Sequence, residues 1–241
     1  MISTNLDLPA RVLAVGAHPD DIEFGCGATL AKWSAAGAEV HLCVLTDGSK
    51  GTWDPARDTE ALIETRRREQ GKAGERIGVS GIHMVGRVDG ELASDLATRA
   101  AVCHIIRATR PDVLLGHDPW KRYRIHPDHR HAGLLAIEGI VAARDPLFFA
   151  DQGLAPHRPA EALLFEPDEI DHVEVVDEQH VVARIEALLR HESQYESTMH
   201  IAQDVARQRG SFIREQRDQC VAAGGLVGAQ FGEAFKRLSD L

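Results

Sequence analysis

The chain has 241 residues, of which 44% are hydrophobic and 27% charged, and a formal net charge of −10 at pH 7. This is an ordinary globular composition, and no stretch approaches the roughly 20 apolar residues of a membrane span. The acidic balance disfavours attraction to nucleic-acid phosphates or anionic membranes, so the expected partner is a small molecule.

The length predicts one domain over residues 1–241. The opening "MISTNLDLPARVLAVG" lacks the basic start and uninterrupted apolar stretch of a secretory signal, which predicts a cytoplasmic protein. Cys26, Cys43, Cys103 and Cys220 stand singly in apolar surroundings without CxxC spacing, and read as reduced, buried thiols.

In chain order, "RVLAVGA" (Arg11 to Ala17) and "EVHLCVLT" (Glu39 to Thr46) are apolar enough for strands buried on both faces. Gly27 to Ala36 between them suits a crossover helix, giving a parallel βαβ unit. Further strands are expected at "GIHMVG" from Gly81, "DVLLG" from Asp112, "EALLFE" from Glu161 and "HVEVV" from His172. Helices are expected at Thr59 to Gly78, Ser94 to Thr109, Pro127 to Ala143 and Glu178 to Tyr195, with one or two between Ile201 and Arg217. Arg144 to Ala162, with three prolines, reads as a long surface connection. In the tail, Phe231, Phe235 and Leu238 stand about one helical turn apart and predict a short amphipathic helix docked on the body. The alternation predicts an α/β fold, an open and mostly parallel sheet with helices on both faces. Ligands in such sheets bind beyond the carboxyl ends of the strands, near the reversal of strand order.

Two acidic-imidazole clusters fall at element ends: "AHPDDIEFGCG" from Ala17, after the first strand, and "HPDHRH" from His126 to His131, immediately before an apolar-periodic helix. Adjacent carboxylates beside an imidazole repel unless a cation or proton relieves them. Pro127 suits a first helical position, and His126 and His129, three apart, share a helical face. Together the clusters offer the imidazole and carboxylate ligands that suit Zn2+ or a similar divalent ion. His18, Asp21 and His129 would supply three protein ligands, the arrangement of a hydrolytic zinc site. Asp20 is then free to act as general base toward a water whose pKa the ion lowers, and His126 to donate to the developing oxyanion.

"AHPDDIEFGCGATLA" and "HPDHR" resemble the two signature motifs of the PIG-L/LmbE-like family of metal-dependent de-N-acetylases. The resemblance runs along nearly the whole chain, through "TDGSKG", "TRRREQGKAGERIGV", "VDGEL", "HESQ" and "GEAFKR". It implies a Rossmann-like fold and one Zn2+ per chain held at the positions of His18, Asp21 and His129. Asp20 is the implied base and His126 the implied oxyanion-stabilising imidazole. The implied reaction is removal of an acetyl or similar acyl group from a glucosamine-type substrate, and a homo-oligomer is expected.

Two stretches depart from the family pattern. Ser49-Lys50 stand where a glutamate is common, and "WKRYRI" (Trp120 to Ile125) where small residues are common. Trp120 to Arg124 are expected to rim the pocket, and Arg66, Arg68, Asp89, Tyr123 and Arg124 are the candidate substrate contacts. His41, His83, His104, His157, His172 and His180 read as structural, whereas His191 stands in "HESQ". The alternatives are another amidase, such as one acting on thiol conjugates, or a non-catalytic metal-binding or nucleotide-binding protein. "GCGATL" only faintly echoes a GxGxxG loop and lacks its third glycine.

Overall fold

A computed structural model describes residues Met1–Leu241. Its strands are β1 (Ser3–Thr4), β2 (Arg11–Gly16), β3 (Glu39–Thr46), β4 (Gly81–Arg87), β5 (Val113–His117), β6 (Glu161–Phe165), β7 (His172–Val175) and β8 (Gly232–Ser239). They form one eight-stranded sheet in the order β1-β7-β8-β6-β5-β2-β3-β4, parallel except where β8 runs antiparallel between β6 and β7. The helices are α1 (Asp21–Ala35), α2 (Thr59–Ile77), α3 (Leu96–Thr109), α4 (Pro127–Arg144), α5 (Glu178–Leu188) and α6 (Val205–Gly225). All six strands expected from the sequence form; β2, β3, β5 and β6 are near-continuous apolar runs buried on both faces, whereas β4, at the sheet edge, is half-buried. One face of the sheet packs Trp33 of α1, Ala73 and Ile77 of α2 and Ala183 and Ala187 of α5. The other packs Val102 and Ile106 of α3 against Leu135 and Ile140 of α4.

β2 pairs with β3 on one side and β5 on the other, and β3 leads outward to β4 while β5 leads outward to β6. The crevice between β2 and β5 is therefore the point where strand order reverses. The first cluster follows β2 and the second follows β5, so both meet at this crevice.

Three local expectations are corrected. The first helix begins at Asp21 rather than Gly27, with a break at Cys26, where φ is −152°. Gly25 and Gly27 weaken intrinsic helicity, but packing demands them: a Cβ on Gly25 would lie 2.4 Å from the Phe165 ring. α5 stops at Leu188, and a 3-10 turn at Glu192–Gln194 follows, because Glu69 accepts from the Ser193 N–H at 2.8 Å and its hydroxyl at 2.6 Å and draws the chain off the helix axis. The tail is strand β8, not a helix. Phe235 joins the face with Trp33, and Leu238 packs on the opposite face. Residues three apart face oppositely in a strand, so an apolar spacing that imitates a helical stripe here fills both sides of a sheet. The connection after α4 carries no regular structure beyond a 3-10 turn at Ala150–Gln152, as its prolines foretell.

Candidate active site and metal centre

The turn after β2 carries His18, Asp20 and Asp21 into the crevice. Asp21 opens α1, where the partial positive charge of the helix N-terminus favours a carboxylate. Its Oδ2 accepts the His18 backbone N–H at 2.7 Å and lies 3.2 Å from His18 Nδ1, and its Oδ1 lies 3.3 Å from His129 Nε2. Ligand atoms of His18, Asp21 and His129 all lie within 4.8 Å of one another. Burial alone would raise the Asp21 pKa, but the imidazoles of His129, His18 and His117 hold the carboxyl well below its usual range.

His18 presents its other nitrogen, Nε2, to Asp89 Oδ1 at 3.1 Å and Asp128 Oδ2 at 3.2 Å. Burial alone would depress this imidazole, but Asp21, Asp128 and Asp89 raise it to about 12. Three carboxylates around one imidazole make a pocket that favours positive charge. Carboxylates on the outer nitrogen also fix which ring nitrogen can ligate, as in carboxylate–histidine–metal arrangements. The donor set therefore fits a divalent ion. Asp128 is itself held, accepting from the Gly90 N–H at 2.7 Å and the Leu92 N–H at 3.3 Å.

Asp20 stands beside these donors but outside the set. It caps α1 with a left-handed backbone, φ +106°, which a non-glycine residue adopts only under constraint. Burial pushes its carboxyl pKa upward, and the Arg66 guanidinium opposes this. The buried Arg66 donates from Nη2 to the Pro19 carbonyl at 2.6 Å and from Nη1 to the Gly48 carbonyl at 3.0 Å. Gln70, one turn further along α2, accepts the Asp20 N–H at 3.2 Å and donates to Glu23 at 2.6 Å.

His126 caps α4, its Nδ1 accepting the Asp128 N–H at 3.3 Å. Burial lowers its pKa, so the ring is neutral and, with Nδ1 accepting, carries its hydrogen on Nε2. Its ring lies 4.7 Å from that of His18 and 4.9 Å from that of His129, centroid to centroid.

The candidate substrate contacts divide. Arg66 and Asp89 line the pocket, although Arg66 is occupied by backbone carbonyls and Asp89 by His18. Arg68 lies exposed on α2 and donates to Thr65. Tyr123, 87% exposed, faces a separate cavity with Trp120, Asp118 and Lys236. Arg124 is buried behind the imidazoles. The loop expected to rim the pocket thus turns away from it, and the rim is instead Lys50, Thr52 and Trp53 with Gln194, Ser197 and Thr198.

Sequence reasoning passed over His117, Asp128 and Gln70. Each looks unremarkable by pattern: a strand terminus, the last residue of a tripeptide, a helix interior. A histidine closing a strand at the expected binding edge was the available signal for His117. His191 is fully buried below the site, 3.9 Å from Glu23 Oε2, with its pKa depressed to about 3 by burial.

The family model for GlcNAc-PI de-N-acetylase, PIG-L, matches residues 13–140, more than half of the chain and both clusters. The chain belongs to the PIG-L family. Diacetylchitobiose deacetylase of Thermococcus kodakarensis is 35% identical over 189 residues, covering 77% of this chain and 70% of that protein. The 1D-myo-inositol 2-acetamido-2-deoxy-alpha-D-glucopyranoside deacetylase of Kineococcus radiotolerans is 32% identical over 169 residues. There the match covers 57% of this chain and 46% of the relative, so the chain spans about half of that relative's length. The solved N,N'-diacetylchitobiose deacetylase from Pyrococcus horikoshii superposes with a TM-score of 0.85 at 29% identity, covering 97% of this chain and 88% of the other. These PIG-L relatives are N-acetylglucosamine-type deacetylases, and their open α/β fold is the one described above. No helix of the chain is long and apolar enough to cross a membrane.

Proposed function

We propose that this chain is a Zn2+-dependent N-deacetylase, binding one ion per chain and releasing acetate from an N-acetylated glucosamine-type substrate. The observation that carries the reading is the convergence of His18, Asp21 and His129, two imidazoles and a carboxylate, with Asp20 beside them and outside the set. When bound, the ion supplies Lewis acidity and lowers the pKa of water toward about 7. Asp20 takes the proton from the attacking water and delivers it to the departing amine nitrogen as the C–N bond breaks. His126 donates from Nε2 toward the oxygen of the amide carbonyl as negative charge develops there. His18 and His129 are held for their part by Asp89 and Asp128 and by the packing of α4.

The cavity above these groups, about 460 Å³, has Trp53 as its one hydrophobic lining residue. The other lining residues carry hydrogen-bonding groups that suit the hydroxyls of a sugar, and Trp53, 74% exposed, offers an aromatic face for a pyranose ring. The catalytic pair is thus proposed as Asp20 and His126. Of the candidate substrate contacts, Arg66 and Asp89 are retained as pocket residues that position the machinery.

Leu147, 90% exposed, and Phe148, 42% exposed, on the connection after α4 support a homo-oligomer, which light scattering would test. The apolar tail makes no such contribution, since Phe231 and Phe235 are buried within the chain.

The test is acetate release by the Zn2+-loaded protein from N,N'-diacetylchitobiose, N-acetylglucosaminyl-inositol, N-acetylglucosaminyl-malate and an N-acylated cysteinyl conjugate. Release from one of the first three, abolished by a chelator and restored by Zn2+, is expected. Turnover of the cysteinyl conjugate alone would overturn the glucosamine assignment, and no acetate from any of them would overturn the deacetylase reading.

A further inference from the structure

His117 closes β5 at the crevice and is 1% exposed. Its ring stacks on that of His129, with centroids 4.4 Å apart and planes 18° from parallel. Its Nε2 lies 3.3 Å from Asp21 Oδ2, the oxygen that already accepts the His18 backbone N–H. Its Nδ1 lies 3.2 Å from Arg124 Nη1. A guanidinium nitrogen only donates, so this Nδ1 must accept, and a neutral imidazole then carries its single hydrogen on Nε2, aimed at Asp21. Arg124 Nη1 has two hydrogens and three neighbours: Glu166 Oε2 at 3.0 Å, His117 Nδ1 at 3.2 Å and His129 Nδ1 at 3.3 Å. A neutral His129 that ligates through Nε2 carries its hydrogen on Nδ1 and cannot accept, so Glu166 and His117 take them.

We infer that His117 is a positioning residue for Asp21, its tautomer set by Arg124, which Glu166 holds in place. The relay Glu166–Arg124–His117–Asp21 fixes the carboxylate of the proposed ion site from behind, as Asp89 and Asp128 fix His18. This gives Arg124 a task that its buried side chain can perform, in place of a substrate contact that it cannot reach. Outer-sphere partners of this kind typically contribute about 10- to 100-fold in metal affinity.

The inference rests on the proposed metal site, and the experiment separates the two. Apparent Zn2+ affinity is measured on the purified full chain by competition with a chromophoric chelator. His117→Phe keeps the ring and its stacking but deletes the donor, and is expected to weaken Zn2+ binding by about 10- to 100-fold. His117→Gln carries an amide N–H near the position of Nε2 and is expected to recover most of that loss. Arg124→Met, which leaves the His117 tautomer free, is expected to fall between wild type and His117→Phe.

Equal affinity in His117→Phe and wild type would overturn the inference, as would a His117→Gln no better than His117→Phe, since packing alone would then explain the residue. Should His117→Phe fail to fold, the contrast is read between His117→Gln and Arg124→Met, and equal wild-type affinity in both would overturn the relay. A wild-type chain that binds no divalent ion is a different result, and overturns the metal reading with everything built on it.

Discussion

Arg66 and Asp20 are joined twice: Arg66 Nη2 donates to the Pro19 carbonyl at 2.6 Å, fixing the peptide that leads into Asp20, and lies 3.4 Å from Asp20 Oδ2. The backbone held in this way is strained, with φ +106° at Asp20, a conformation that costs on the order of 1–3 kcal/mol for a non-glycine residue. α2 thus holds both polar groups of the Pro19–Asp20 peptide that leads into the proposed base, Arg66 at the Pro19 carbonyl and Gln70 at the Asp20 N–H.

Arg66→Lys keeps the charge but loses the fork that reaches both Pro19 and Gly48. A small displacement of a reacting group can cost about 100-fold in rate, so kcat should fall by that order with KM and ion content little changed. Steady-state kinetics with ion stoichiometry on the same preparation is the check. Loss of the ion, or a change confined to KM, would show that Arg66 serves something other than Asp20.

Asp20→Asn should keep the ion and the fold while losing about 10²–10⁴-fold in kcat, the usual span of general-base catalysis. Asp21→Asn should instead weaken ion binding, because a neutral amide replaces an anionic ligand. His126→Ala should behave like Asp20→Asn, with a loss on the order of 3 kcal/mol in transition-state stabilisation. Ion content and acetate release are measured together for the three variants. An Asp20→Asn protein without its ion, alongside an active Asp21→Asn protein, would reverse the assignment of base and ligand.

Zn2+ uptake should release protons. In the ion-free site, carboxylates raise His18 to about 12 and Asp21 raises His129 above its ordinary value, against the opposing effect of burial. Both imidazoles must be neutral to ligate, so at pH 7 at least about one proton should leave per ion bound, and affinity should fall as pH falls. Titration in weakly buffered solution with a pH indicator reads this directly. A proton count of zero at pH 7 would remove His18 from the ligand set.

Away from the site, the buried Glu174 carboxylate accepts from Lys32 Nζ at 2.7 Å, His172 Nε2 at 2.9 Å and the Leu6 N–H at 2.7 Å. Burial alone would raise its pKa, but these donors hold it below the ordinary glutamate value of about 4.3. Its stabilising contribution is therefore complete above that value and is lost as pH falls through the folded-state pKa. Glu174→Gln should be less stable than wild type by about 3 kcal/mol at pH 7, with the gap closing on acidification. Urea unfolding at pH 7 and near pH 4 gives both differences, and a gap independent of pH would contradict the ionised carboxylate.

What the sequence determined by itself was six of the eight strands, the sheet edge that carries the site, and the proposed ligands, base and oxyanion donor. These are local properties. Apolar runs such as Val12 to Val15 bury on both faces wherever they lie, and the two HPD clusters state their chemistry in adjacent residues. The tertiary structure decided whatever depended on distant neighbours. Phe231, Phe235 and Leu238 have helical spacing, but the gap between β6 and β7 places Phe235 and Leu238 in a strand that begins just after Phe231. Arg124 reads as a pocket residue by its position in the chain, yet it is buried because His117 and Glu166 offer it acceptors. His117, Asp128 and Gln70 acquire their significance only through residues 96, 110 and 50 positions away, and no local pattern encodes a contact that folding alone brings within hydrogen-bond reach.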